Sequence, residues 1–322
     1  MNHRFPIALA AGALVVAAFA TPAAADLLVP PEHVGDVVGM AWDEETHRLW
    51  LAGDEADDGT LIGLTEDGEQ AQINWSGDIV SVQSLAIHDG VLYIGDLGNE
   101  DGSRSEFTIF RMRNTEPGQK QYWAYVVEYP NGEPLHAETL LVSGRGNFYV
   151  VTTGDDAAIY RAPTEPSRQS LNTLTRVADA PEGVTDGVFL PDGATIALRA
   201  ADGVHIIDAF TWETLAVETY VNPPEDESIT AREDMLILGG VGALREAEVP
   251  TSDVTSTPGP AAEPGPTSPS PEPAPTGDAS PTAPAEDDGA PAVPRNTGTF
   301  VALIIAGAVA LAAGVTTYFV KG

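Results

Sequence analysis

Short apolar runs of about five residues recur along the first 250 positions. Residues 48–52, 91–95, 147–152 and 195–199 are the plainest, and they are rich in Val, Ile, Leu, Tyr and Trp. Turn signals bound them: Asp89-Gly90, Asn131-Gly132, Asp192-Gly193 and Asp202-Gly203. Runs this short, punctuated by Asx-Gly pairs, read as strands. No window between the two apolar ends of the chain sustains a 3.6-residue period. The pattern predicts an all-β domain.

The strands recur as a unit. Five segments align, beginning at Val38, Gln83, Glu138, Asp186 and Glu227. Each is followed by a turn and a second strand, at 48–53, 91–95, 147–152, 195–199 and 235–239. Third and fourth strands are visible in most units, for example 107–112 with 122–129, and 204–208 with 214–220. The starts lie 45, 55, 48 and 41 residues apart. Such a period matches one four-stranded blade per repeat. The expectation is a five-bladed β-propeller. Six blades or a β-sandwich are the alternatives, and the long second unit is where the count is most open. The fifth unit is short. Residues 26–29 (Asp-Leu-Leu-Val) are available to complete it and so protect an open edge.

The two ends of the chain predict its placement. Residues 1–25 read as a secretory signal. His3 and Arg4 precede an apolar run at 7–20, and Ala23-Ala24-Ala25 is an A-x-A cleavage site, so the mature chain is expected to start at Asp26. Residues 299–320 carry no charge and are long enough to span a bilayer as a helix, with Lys321 and Gly322 as a cytoplasmic tail. Residues 293–298 (Val-Pro-Arg-Asn-Thr-Gly) resemble a sortase sorting signal, but have one residue too many between Pro294 and Thr297. A retained single-pass helix with an extracellular domain is the main expectation, and wall anchoring is the lesser one. Between domain and helix, residues 250–298 are a Pro-, Thr-, Ser- and Ala-rich acidic stretch expected to form a disordered stalk. At about 3.1 Å per residue it would hold the domain well clear of the membrane.

Composition narrows the chemistry. The 322 residues contain no Cys, which removes disulfide frameworks, thiolate metal sites and thiol nucleophiles. Forty-eight acids stand against 15 bases, for a formal charge of −33. That argues against nucleic acid as a partner, which needs a basic footprint.

The candidate site follows from the repeat. The first strand of a propeller blade lines the central channel, so the leading positions place Gln83, Glu138, Asp186 and Glu227 there. Buried acids need partners. Arg199, at the end of a second strand, is the candidate counter-charge. A bound Ca²⁺ or Mg²⁺ held by Glu138, Asp186 and Glu227 is the other solution, because converging carboxylates are hard oxygen ligands. The plainer reading is a wet channel lined by solvated acids. Acid-rich loops at 53–59 and 95–104 fail the EF-hand pattern, since a loop starting at Asp54 has Ala56 at its third position and Thr65 at its twelfth. They read as Asx-type turns on one face, able to cap the channel mouth, with Asp96 among the candidate lining residues.

The string Tyr93-Ile94-Gly95-Asp96-Leu97-Gly98-Asn99 with Arg104 resembles the Y-V-G-D-I-G-D-N…R signature of a group of secreted propeller proteins of high-G+C Gram-positive bacteria. Tyr129-Pro130-Asn131-Gly132 with His136-Ala137-Glu138-Thr139-Leu140, and Thr185-Asp186-Gly187 with Pro191-Asp192-Gly193 and Ala197-Leu198-Arg199, are similar to further motifs of the group. The match spans about residues 35–240. The chain departs from the pattern at Gln83, Asn99 and His136. The resemblance implies a propeller and transfers no defined activity.

Catalytic motifs are scarce. The sequence contains no G-x-S-x-G, H-E-x-x-H, P-loop or complete G-x-G-x-x-G. Among the histidines of the domain, only His136 lies beside a candidate channel acid, as a candidate acid–base pair. The reading that results is a binding or display module for an extracellular protein or small ligand. The alternative is a metal-dependent hydrolase of a lactone or phosphoester at the channel.

Overall fold

A computed structural model describes residues 26–223, 226–240 and 244–257. The expected signal and spanning segments, and nearly all of the expected stalk, lie outside the described residues. Among the described residues no helix is long and apolar enough to cross a membrane.

The strands form five sheets, one per repeat. Blade 1 contains Gly39–Asp43, Arg48–Ala52, Thr60–Thr65 and Gln70–Asn74. Blade 2 contains Val82–His88, Val91–Asp96, Glu106–Met112 and Tyr122–Glu128. Blade 3 contains Ala137–Val142, Phe148–Thr152, Ala158–Arg161 and Thr175–Asp179. Blade 4 contains Asp186–Phe189, Thr195–Ala200, Gly203–Asp208 and Thr214–Tyr220. Blade 5 contains Asp226–Arg232, Met235–Gly240 and Leu244–Glu248, and its fourth strand is Asp26–Leu28 from the start of the chain. The ring is thus five-bladed and closed by the N-terminal strand, as the repeat predicts. That strand runs antiparallel to Leu244–Glu248, which would otherwise be an open edge.

The core lies between blades. Side chains alternate across each strand, so a middle strand sends residues to both neighbouring blades. Second strands are accordingly mostly apolar and buried, as in Arg48–Ala52, where four of five residues are buried. Five buried clusters fill the five interfaces. One joins Trp50 and Leu61 of blade 1 to Leu85, Ile94 and Phe110 of blade 2. Another joins Met40, Trp42 and Leu49 of blade 1 to Ile237 and Leu244 of blade 5. Each fully buried Leu, Ile or Phe contributes about 1.5–3 kcal/mol. Outer strands alternate instead: Tyr125 and Val127 are buried while Trp123 is exposed.

Three sheets gain a fifth, parallel strand that the sequence does not announce. Gly118–Gln119 from blade 2 adds to blade 1, and Asn172–Thr173 from blade 3 adds to blade 2. Val254–Ser256 adds to blade 4. This last strand lies beyond Val249, among the first residues of the stretch expected to form the stalk. Its pairing is through the backbone, with Val221 N–H donating to Ser256 O at 2.8 Å, so a polar composition does not prevent it. Asp253 also accepts the Val217 N–H at 3.1 Å.

Candidate functional site

The five innermost strands meet at the axis, and their second aligned residues are all small: Gly39, Ser84, Thr139, Gly187 and Ser228. The strands approach closely there. A Cβ on Gly39 would lie 2.8 Å from the Gln83 carbonyl oxygen and from Ser84 Cα, and one on Gly187 would lie 3.1 Å from Thr139 Cγ2. A five-bladed ring leaves no room at this level for larger side chains.

One of the expected channel acids sits in this constriction. Asp186 is fully buried. Its Oδ1 accepts the Ser84 hydroxyl of blade 2 at 2.8 Å, and its Oδ2 accepts the Ile229 N–H of blade 5 at 3.0 Å. The backbone N–H groups of Gly187 and of Met40 in blade 1 also face it. One carboxyl thereby ties four blades together through neutral donors. Burial pushes its ionisation well above the usual carboxylate range, against the opposing pull of those hydrogen bonds.

The other candidates sit elsewhere. Asp96 is buried at the end of the second strand of blade 2, in a bidentate pair with Arg104 at 3.1 and 3.0 Å. Its Oδ1 also accepts the N–H groups of Val80 and Ser81, at 3.2 and 2.7 Å. Asn99 completes this loop: its Oδ1 accepts the Arg104 N–H at 2.8 Å and its Nδ2 donates to the Arg104 and Pro134 carbonyls at 3.0 Å. Gly98 is required because a Cβ there would lie 2.2 Å from Ser81 Oγ. The G-D-L-G-N…R string is therefore a self-bonded clamp that fixes the entry to blade 2. Gln83, half-buried, donates to Ser81 Oγ at 2.8 Å beside it.

His136 lies next to the same loop. Its Nδ1 accepts the Asn99 N–H at 2.8 Å, which leaves the proton of the neutral ring on Nε2, facing Glu138 Oε1 at 2.9 Å. Both ring nitrogens are engaged. Glu138, half-buried at the start of its inner strand, is the acceptor of the pair.

The carboxylates of Glu138, Asp186 and Glu227 do not gather around one point: among the described residues no three acidic or histidine side chains could hold a metal ion. Of the three, Asp186 alone is fully buried at the constriction. Glu227 is exposed on the inner strand of blade 5. Arg199, the expected counter-charge, is buried on the second strand of blade 4, directly opposite Asp186 across the strand pair. Its guanidinium lies 5.4 Å from the Tyr220 ring, and its donations include those to the carbonyls of Ala200 and of Gly203. Burial lowers its ionisation and pushes the Tyr220 phenol up to about 12.

The arrangement that can take a ligand is one the leading acids do not mark. Beyond the constriction the inner strands spread into a cup of about 470 Å³. Residues of their fourth aligned column, Ala41, Ala86, Leu141, Phe189 and Thr230, line it, with Trp42, Ile87 and Val188 beside them. The walls are apolar. The rim is formed by hairpin turns that bring Glu44, Glu45, His88 and Asp89 to the opening. Glu45 reaches across from blade 1 to Gly90 of blade 2, where a Cβ would lie 3.0 Å from its Oε2. No Lys or Arg lines the cup. The sequence signal is the fourth column of the repeat, apolar in four of five units.

No protein-family model matches the chain, and no curated protein matches it in sequence. Solved structures similar to it include the PQQ-bound aldose sugar dehydrogenase of Streptomyces coelicolor, at 11% identity and TM-score 0.41, covering 70% of this chain and 96% of that one. A gluconolactonase of Xanthomonas campestris is similar at 14% identity and TM-score 0.42, covering 67% and 87%. A nidogen/laminin complex chain is similar at 12% identity and TM-score 0.42, covering 64% and 72%. None of these similarities reaches the level at which a site carries over.

Proposed function

We propose that the protein is a binding module whose ligand has an apolar body and a positive charge, seated in the cup at the hairpin face. One observation carries this reading: an open apolar cup whose rim holds three carboxylates and whose lining contains no Lys or Arg. Apolar walls supply affinity by removing ligand surface from water. The rim acids select charge, and the field of a chain at −33 draws cations toward them. A rigid closed ring suits this role, since loops on a fixed scaffold hold a ligand at little ordering cost. The apolar segments at the two ends of the sequence favour an extracytoplasmic, membrane-held location, with residues beyond the last strand as the spacer.

The test is a titration of the protein with phenylethylamine and with a short Leu/Lys peptide, followed by the fluorescence of Trp42 in the wall. Saturable binding, weakened by salt and by the Glu45→Gln/Asp89→Asn double variant, is expected. Equal binding of an uncharged analogue, or none of either probe, would overturn the reading.

Hydrolysis of a lactone or phosphoester is the second reading. It draws on the His136–Glu138 pair, in which Oε1 of Glu138 faces the imidazole and Oε2 is the oxygen that would act on a substrate. Loss of turnover in Glu138→Gln, with ligand binding retained, would favour it.

A further inference from the structure

We propose that Arg111, Arg113 and Arg168 form, on the ring of Trp123, a binding site for a compact oxyanion group. Trp123 stands on the outer strand of blade 2 and is the most exposed tryptophan of the chain at 37%, whereas Trp42, Trp50 and Trp75 are buried. Three guanidinium carbons lie within cation–π reach of its ring: Arg168 at 4.4 Å, Arg111 at 4.7 Å and Arg113 at 5.9 Å.

The three arrive from different places. Arg111 is directly opposite Trp123 across the strand pair, and also opposite Tyr93 on its other side. Its Nε donates to Tyr93 Oη at 3.3 Å, which holds it in place. Arg113 follows at the end of the same strand. Arg168 comes from blade 3, on the segment that leads into Asn172–Thr173 and its pairing with the outer strand of blade 2. The borrowed strand therefore completes the cluster.

The charge of the cluster contrasts with that of the chain. Acids outnumber bases 48 to 15 in this chain. Arg104, Arg176 and Arg232 pair with carboxylates, whereas these three gather on an aromatic ring. Among the described residues none of Arg111, Arg113 and Arg168 has a carboxylate within ion-pair distance. Stacked on an aromatic ring, a guanidinium keeps its in-plane N–H donors available to oxyanions. Three such groups around one ring suit a ligand with two or three negative charges close together. A long polyanion is disfavoured, because the rest of the acidic surface repels it. The shared chemistry is a phosphate ester or a cluster of carboxylates.

The full chain is titrated with inorganic pyrophosphate and, separately, with citrate, at low ionic strength, by calorimetry and tryptophan fluorescence. Saturable binding is expected, with a fluorescence change absent from Trp123→Phe. Removing one charge-assisted hydrogen bond should weaken binding about tenfold, so Arg113→Gln/Arg168→Gln should abolish it at millimolar ligand. Both residues are exposed, and an unchanged thermal transition confirms that the variant folds. Tighter binding of pyrophosphate assigns the site to phosphate esters, and tighter binding of citrate to carboxylates. No saturable binding of either anion, or equal affinity in the double variant, would overturn the proposal.

Discussion

The Asp186 carboxyl accepts the Ser84 hydroxyl at 2.8 Å across the axis of the ring, between residues 102 positions apart in the chain. The same carboxyl accepts the Ile229 N–H, and faces those of Gly187 and Met40. The innermost strands are too close for packing by larger groups, so a single acceptor cross-links them.

Removing this acceptor should be costly. Asp186→Ala leaves the Ile229 N–H and the Ser84 hydroxyl buried without a partner, at about 1–3 kcal/mol each. Asp186→Asn keeps one acceptor oxygen and should cost less. Urea unfolding of the two variants against the parent measures the order, and an Ala variant as stable as the Asn variant would contradict the hub.

The same residue predicts a pH dependence. Burial raises the Asp186 ionisation in the folded state above that of the unfolded chain, about 3.9. The folded state then holds its proton where the unfolded chain has released it. The stabilisation is complete below the unfolded value and is lost as pH rises toward the raised folded one. Asp208, whose ionisation the Thr211 and Phe210 N–H groups lower, acts in the opposite sense, so the difference between parent and variant is the useful quantity. Stability of the parent relative to Asp186→Asn should fall with rising pH in unfolding titrations from about pH 4 upward.

The clamp around Asp96 should be structural. Arg104→Met leaves a buried carboxylate without its bidentate partner, a loss of about 3–5 kcal/mol. Asp96→Asn added to Arg104→Met should recover part of it, because the uncompensated charge is gone. A double-mutant cycle by chemical denaturation reads the coupling. Independent effects of the two changes would mean that the pair in the loop carries no energy.

Much of this architecture is legible in the residues. Arg48–Ala52 and Thr214–Tyr220 are strands over the spans that their apolar content and flanking turns indicate. The order of five units and the closing strand follow from the same periodicity. Gly118–Gln119, Asn172–Thr173 and Val254–Ser256 are not legible, because they pair through the backbone alone and carry no apolar pattern. At the site, attention to the leading acids misleads. The neighbouring column Gly39, Ser84, Thr139, Gly187 and Ser228 already implies a closed axis, since only a crowded centre needs five small residues. The cluster on Trp123 is hidden for another reason: Arg168 reaches it only through the exchange of a strand between blades.

The closing strand gives the last prediction. Asp26–Leu28 pairs with Leu244–Glu248, and Asp26 is also the first residue expected after signal cleavage. Processing at that point would leave the ring its fourth strand in blade 5, whereas a cut a few residues later would remove it. A chain beginning at Val29 loses roughly two or three backbone hydrogen bonds worth about 1 kcal/mol each, along with the cover over the edge at Leu244–Glu248. It should unfold several degrees lower. The freed edge is a template for pairing with another copy, so the shortened chain should also self-associate as concentration rises. Thermal unfolding and light scattering of the two forms test both effects. Equal transitions with equal particle size would mean that the ring closes without this strand.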